Sequence, residues 1–200
     1  MIRMRQMLLS LLLCAPVVLA SPKQELSTRL DKLNSFTAVF KQMVTSPEGE
    51  VISESEGTLA MKRPNLFHWK TIIPDENLLV FDGETLWYYS PVIEQVTAMR
   101  LDDMISKTPF SLLIRNDSRN WQNYNVSHEG DKFVLSPNKA SNMVTLIITV
   151  LPNGCIMKFS IVEQDGQISR FAMSNIKNVS PKASLFRFTV PNGVELDDQR

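Results

Sequence analysis

Cysteine and histidine are scarce, with two of each in 200 residues. Cys14 lies in an N-terminal apolar segment that reads as a leader, which leaves Cys155 with no partner for an internal disulfide. Cys155 follows a Pro152-Asn153-Gly154 turn at the start of an apolar strand, where a small core side chain is expected rather than a reactive thiol. His68 and His128 are far apart and lack metal-ligand spacing. The sequence contains no H-E-x-x-H, C-x-x-C or phosphate-binding loop and no G-x-S-x-G nucleophile elbow. Glu54 and Glu56 come nearest to a carboxylate pair, but they fall in a polar run beside a turn and read as a solvated face. No Lys/Arg-rich run stands out, so the electrostatic footprint of a nucleic-acid binder is missing. Repeats, low-complexity stretches and a dividing linker are missing too. These absences point away from hydrolase, metalloenzyme and nucleic-acid-binding chemistry, and no cofactor, metal or catalytic activity is expected.

The N-terminus carries a processing pattern. Arg3 and Arg5 precede an apolar core, Leu8 to Leu13 and Val17 to Leu19, and Val18 and Ala20 give the small-x-small cleavage signature. Ser10 and Pro16 interrupt the run, which falls short of the ~20 residues of a spanning helix. Leu13, before Cys14, is not the small residue that lipidation would need. Residues 1–20 are therefore expected to be a cleaved signal peptide, and residues 21–200 a single exported domain that is not itself a lipoprotein. The whole chain balances 21 basic against 21 acidic residues, and loss of Arg3 and Arg5 with the leader leaves a net charge of −2.

Ser21 can cap a helix from Pro22 to Asn34, with Leu26, Leu30 and Leu33 on one stripe. Nearly everything else reads as antiparallel strand: 36–45, 51–62, 66–73, 78–81, 85–89, 92–99, 123–128, 132–136, 144–151, 156–164, 169–175 and 186–190. Turn signals at Asp82-Gly83, Glu129-Gly130-Asp131, Pro152-Asn153-Gly154 and Asp165-Gly166 punctuate them. This spacing predicts one strongly curved meander or open barrel. On 66–73, His68 alternates with Phe67 and Trp69 and is expected to point outward. Residues 101–115 break the β pattern. Thr108 can cap, Pro109 fits the first helical position, and Phe110, Leu112, Leu113 and Ile114 make a helix apolar over much of its surface. The apolar excess, with Trp69, Trp87 and Trp121, first means an ordinary core. A curved sheet under an apolar helix also suits a cavity for an apolar ligand.

From Lys62-Arg63-Pro64-Asn65-Leu66-Phe67-x-Trp69 onward the sequence resembles the periplasmic outer-membrane lipoprotein carrier family, LolA. Further matches are Asp82-Gly83-x-Thr85-Leu86-Trp87-x-Tyr89, Pro91-x-x-Glu94-Gln95, Thr108-Pro109-Phe110-x-Leu112, Asn116, Trp121-Gln122, Phe133-Val134-Leu135, Val162-Glu163-Gln164-Asp165 and the terminal Asp197-Asp198-Gln199-Arg200. They span essentially the whole exported chain.

The resemblance implies a mainly β fold: an incomplete, unclosed antiparallel β-barrel with an α-helical lid enclosing a hydrophobic cavity. It implies a monomer that takes acylated lipoproteins from an inner-membrane ABC-type release complex and delivers them to an outer-membrane lipoprotein receptor. Carried over position by position, Arg63 becomes the lid latch, and Pro109, Phe110, Leu112, Leu113 and Ile114 the lid. Phe67 is tied to efficient handover, and Leu30, Phe67, Trp69, Phe110 and Leu113 are expected to line the acyl-chain cavity. Two other readings compete: an acyl-sensing regulatory domain of the same fold, and an envelope enzyme acting on lipids. The missing catalytic signatures weigh against the enzyme. The lack of an extra domain weighs against the regulator.

Overall fold

The structure, a computed structural model, describes residues 20–100, 121–138 and 144–200. Helix α1 (Pro22–Asp31) begins as the sequence predicts: Ser21 is extended, its Oγ accepts from the Gln24 N–H at 3.2 Å, and Pro22 opens the first turn. The helix stops three residues short of Asn34, but Leu33 stays buried with Leu26 and Leu30.

The strands are β1 (Ser35–Thr45), β2 (Val51–Lys62), β3 (Leu66–Ile73), β4 (Asn77–Phe81), β5 (Thr85–Ser90), β6 (Gln95–Arg100), β7 (Tyr124–Glu129), β8 (Lys132–Pro137), β9 (Thr145–Val150), β10 (Ile156–Val162), β11 (Ile168–Lys177) and β12 (Glu195–Asp198). Among the described residues they form one twelve-stranded sheet in the order β12-β6-β5-β4-β3-β2-β1-β11-β10-β9-β8-β7. Two meanders meet where β1 pairs with β11. The outer strands β12 and β7 do not pair with each other, so the barrel is unclosed.

Two expected strands need correction. The 92–99 strand begins only at Gln95, because Pro91–Ile93 is a 3-10 turn and Glu94 sits in the left-handed region at φ 51°. Pro91 has no N–H for the ladder and its fixed φ suits a turn, which the Glu94 N–H closes onto the Pro91 carbonyl. The 186–190 strand is not formed. Ala183–Phe186 is another 3-10 turn, with Phe186 buried as an anchor. The ladder is instead taken up by Glu195–Asp198, a polar stretch outside every expected strand, which runs parallel to β6. Alternation cannot reveal such a strand, since a short charged edge strand buries nothing on either face.

Period-two alternation sorts the side chains to two faces. Phe36, Ala38 and Phe40 of β1, Leu59 and Met61 of β2, Phe67 of β3, Phe81, Leu86, Phe133, Leu135, Leu146, Ile148, Phe159, Phe171 and Met173 form one apolar cluster with Leu26, Leu30 and Leu33 of α1. This is the inner face. On the other face the register aligns Ala60, His68, Val80, Trp87 and Ala98 across β2 to β6. The C-terminal segment crosses that outer face. Its 3-10 turn lies against β3, and Phe188 packs on Trp87 and Tyr89 at ring-centroid distances of 5.5 and 5.9 Å. His68 is therefore half-buried between Ala60 and Val80 instead of facing open solvent, and burial lowers its pKa.

Candidate functional site

The site starts from the alternation of β3. Phe67 and Trp69 lie on the same face, with ring centroids 6.1 Å apart. Trp69 sits 4.0 Å from Phe40 and meets Phe171 edge-on at 5.4 Å, and Phe171 stacks on Phe159 at 4.4 Å. An aromatic band thus runs across the inner face from β3 to β10. Strand β2, which lies between β3 and β1, sets Leu59 opposite Trp69 and Gly57 opposite Phe40. A Cβ on Gly57 would run into the Lys70 carbonyl and come within 2.8 Å of the Phe40 ring, so the glycine is what lets the ring lie against β2. Tyr124 of β7 also belongs to the inner cluster, and burial pushes its phenol up to about 12.

Helix α1 is fastened over this face by Arg29. Its Nε donates to Glu25 Oε1 at 2.7 Å, and its Nη1 donates to Asp131 Oδ1 at 2.5 Å and to the Val150 carbonyl at 2.7 Å. The guanidinium lies 5.2 Å from the centroid of the Phe133 ring. Lys32 Nζ donates to the Pro152 carbonyl at 2.7 Å, and Gly154, at φ 89°, leaves the β9–β10 turn close enough to touch the helix end. Sequence reasoning missed Arg29; the one local signal was Glu25 four residues before it on the helix.

Arg63 stands at the β2–β3 turn, at the foot of α1. Its backbone N–H donates to the Asn34 carbonyl at 2.8 Å, and its Nη1 lies 3.5 Å from Asp31 Oδ1. The side chain is only 12% exposed, and burial lowers its pKa against the opposing pull of Asp31. Of the expected cavity residues, Leu30 and Phe67 are fully buried and Trp69 is partly buried, and all three meet in the inner cluster. The expected lid, Pro109, Phe110, Leu112, Leu113 and Ile114, lies outside the described residues.

Other sequence-singled groups fall elsewhere. Glu54 and Glu56 lie on the outer face, where Glu56 Oε2 is 3.6 Å from Lys41 Nζ. Cys155 is half-buried, not core, and burial pushes its thiol up. A recess of about 830 Å³ opens on the outer side of β8 to β2 and is lined by none of Leu30, Phe67 and Trp69. Among the described residues no helix is long and apolar enough to cross a membrane.

An unclosed antiparallel barrel with an apolar and aromatic inner face, and a helix fastened across it, defines a class of proteins built around an apolar interior. The sequence model of the outer membrane lipoprotein carrier protein LolA matches residues 31–189, and the chain belongs to that family. It is 53% identical over 199 residues to the outer-membrane lipoprotein carrier protein of Photobacterium profundum, covering 96% of this chain and all of that one. It is 50% identical over 181 residues to the protein of the same name from Proteus mirabilis, covering 90% of both. Among solved structures, an uncharacterized conserved protein from Thermus thermophilus superposes with a TM-score of 0.58 at 14% identity, over 88% of this chain and 98% of that one, a likeness of fold alone.

Proposed function

We propose that this chain is an envelope chaperone that carries lipoproteins, and that it works in the periplasm once residues 1–20 have been removed. The observation that carries the reading is the continuous apolar inner face in a chain of this family. A buried methylene is worth about 0.8 kcal/mol, so three long acyl chains with roughly forty methylenes would cost on the order of 30 kcal/mol to expose. Release into water is effectively blocked, and a shielded carrier is needed. In our reading the cargo comes from an ATP-driven inner-membrane complex and passes to an outer-membrane receptor. The chain acts by binding and does not catalyse a reaction.

Handover without ATP requires that the carrier not bind too well. A lid over the inner face, supplied by residues 109–114 and latched by Arg63, would lower apparent affinity by the fraction of molecules that are open. The acyl-sensing regulator is not favoured, because the sequence likeness to the carriers is spread over nearly the whole chain. The test is to incubate the exported chain with inner-membrane vesicles and ATP. A soluble complex with a triacylated lipoprotein is expected, and its absence would overturn the proposal.

A further inference from the structure

The outer face of β8 to β2 has a charge pattern that shielding of acyl chains does not use. Ladder register places Lys132, Thr149, Lys158, Ala172, Lys41 and Glu56 in one row across six neighbouring strands. The next row holds Val134, Ile147, Ser160, Arg170, Met43 and Glu54. Three lysines therefore recur on every second strand, about 9–10 Å apart by strand spacing, and Arg170 adds a fourth cation beside them. The exported chain has a net charge of −2, so this is not the spill-over of a basic composition. These cations frame the recess of about 830 Å³, which Met43, Ile73 and Ile147 make partly apolar. Lys41 lies 3.6 Å from Glu56, and among the described residues no carboxylate pairs with Lys132 or Lys158.

We propose that this recess binds an extended acidic segment of a partner protein. Charge complementarity sets the sign of the occupant, and spacing sets its form. A polyproline-II segment rises about 3.1 Å per residue with three residues per turn, so acidic side chains at every third position fall on one side about 9 Å apart. That matches the row of Lys132, Lys158 and Lys41. Glu54 and Glu56 on β2 end the basic row and would repel an acidic chain running further. A planar bilayer cannot follow a recess, and a single anion cannot span the five strands from Lys132 to Lys41. Phe159 and Phe171 belong to the inner cluster and also border the recess, whereas Leu30, Phe67, Trp69 and Phe40 do not, so an occupant lies across the sheet from most of the apolar interior. The inference is independent of what that interior holds.

The test is fluorescence anisotropy of the exported chain with a fluorescein-labelled peptide of four Glu-Ala-Pro repeats at low ionic strength. Binding is expected, weakened about tenfold by Lys132→Glu with Lys158→Glu. The charge-matched pair Lys177→Glu with Lys182→Glu, outside the recess, should leave it unchanged. Milder Lys132→Gln with Lys158→Gln variants serve if the charge reversals fail to fold. No binding, equal loss in both pairs, or equal affinity for a peptide with its glutamates in one block would overturn the proposal. So would binding of phosphatidylglycerol vesicles, in place of the peptide, through the same lysines.

Discussion

Gly57 carries a packing constraint that no alternation pattern announces. On β2 it occupies an inward position, and its lack of a side chain lets the Phe40 ring lie over the strand. Gly57→Ala should lower stability by about 1–3 kcal/mol, the range for forcing an added methyl into a packed core, read as a fall in denaturant midpoint with an unchanged slope. His68 gives a second residue-scale expectation. Burial lowers its pKa in the folded state, so folding favours the neutral ring. The associated stability is fully present above the ordinary histidine value of about 6.5 and is lost as pH falls through the lowered folded value. The melting temperature should therefore drop more steeply toward about pH 5 in the parent than in His68→Gln. Parallel curves would remove this role. The face on which His68 lies was legible from β3 alone. Its half-burial was not, because the covering segment arrives more than a hundred residues later in the chain.

At the scale of elements, the strands were legible because their turns are local chemistry. Asp82 shows how: its Oδ1 accepts from the Glu84 and Thr85 N–H groups at 2.9 and 2.8 Å, and its Oδ2 from the Trp87 indole at 2.8 Å. Partial burial works against the carboxylate, but these hydrogen bonds outweigh it and hold the group below its usual range. The seating of α1 was not legible, since Arg29 reaches Asp131 in the β7–β8 turn and Val150 at the end of β9, both far along the chain. Arg29→Met should cost about 1.5–3 kcal/mol, the worth of hydrogen bonds to a charged group. It should also speed proteolytic cleavage near α1, while Lys23→Met should do so less. Arg63 was singled out through family resemblance, and its place at the foot of α1 puts a mostly buried charge beside Asp31. Arg63→Leu should still accept lipoprotein but pass it on poorly, because loss of a closing contact favours the open, loaded state. Transfer to the receptor, measured with purified components, checks this, and a normal rate would show that Arg63 is no latch.

Across the whole molecule, the candidate interior was partly readable. Period-two alternation puts Phe67 and Trp69 on one face, and the helical stripe gives Leu30, yet neither says that the three meet. That depends on the order of strands, which the turns do not specify beyond neighbours in sequence. The parallel β12 is the extreme case: its four residues look like a solvated tail, and only pairing with β6 makes them a strand. The Gln199 N–H, donating to the Ala98 carbonyl at 2.8 Å, extends that contact to the end of the chain.

The meeting of β1 with β11 has a consequence for how the chain reaches this state. One edge of β1 is satisfied early by β2, through a short turn. The other waits for Ile168–Lys177, more than 120 positions downstream. Until then a long strand carrying Phe36, Phe40 and Val44 offers an unpaired edge, the kind of template that recruits other chains. Closing so distant a contact is slow, on the order of milliseconds to seconds for sheets dominated by non-local pairing. Maturation should therefore pass through a window of vulnerability that ends only when Ile168–Lys177 has emerged. A chain cut after Gln167 should stay in that window permanently: it should aggregate at concentrations where the full exported chain is monodisperse by light scattering. Supplying residues 168–200 as a separate peptide during refolding should rescue part of it, because the missing partner would cap the waiting edge.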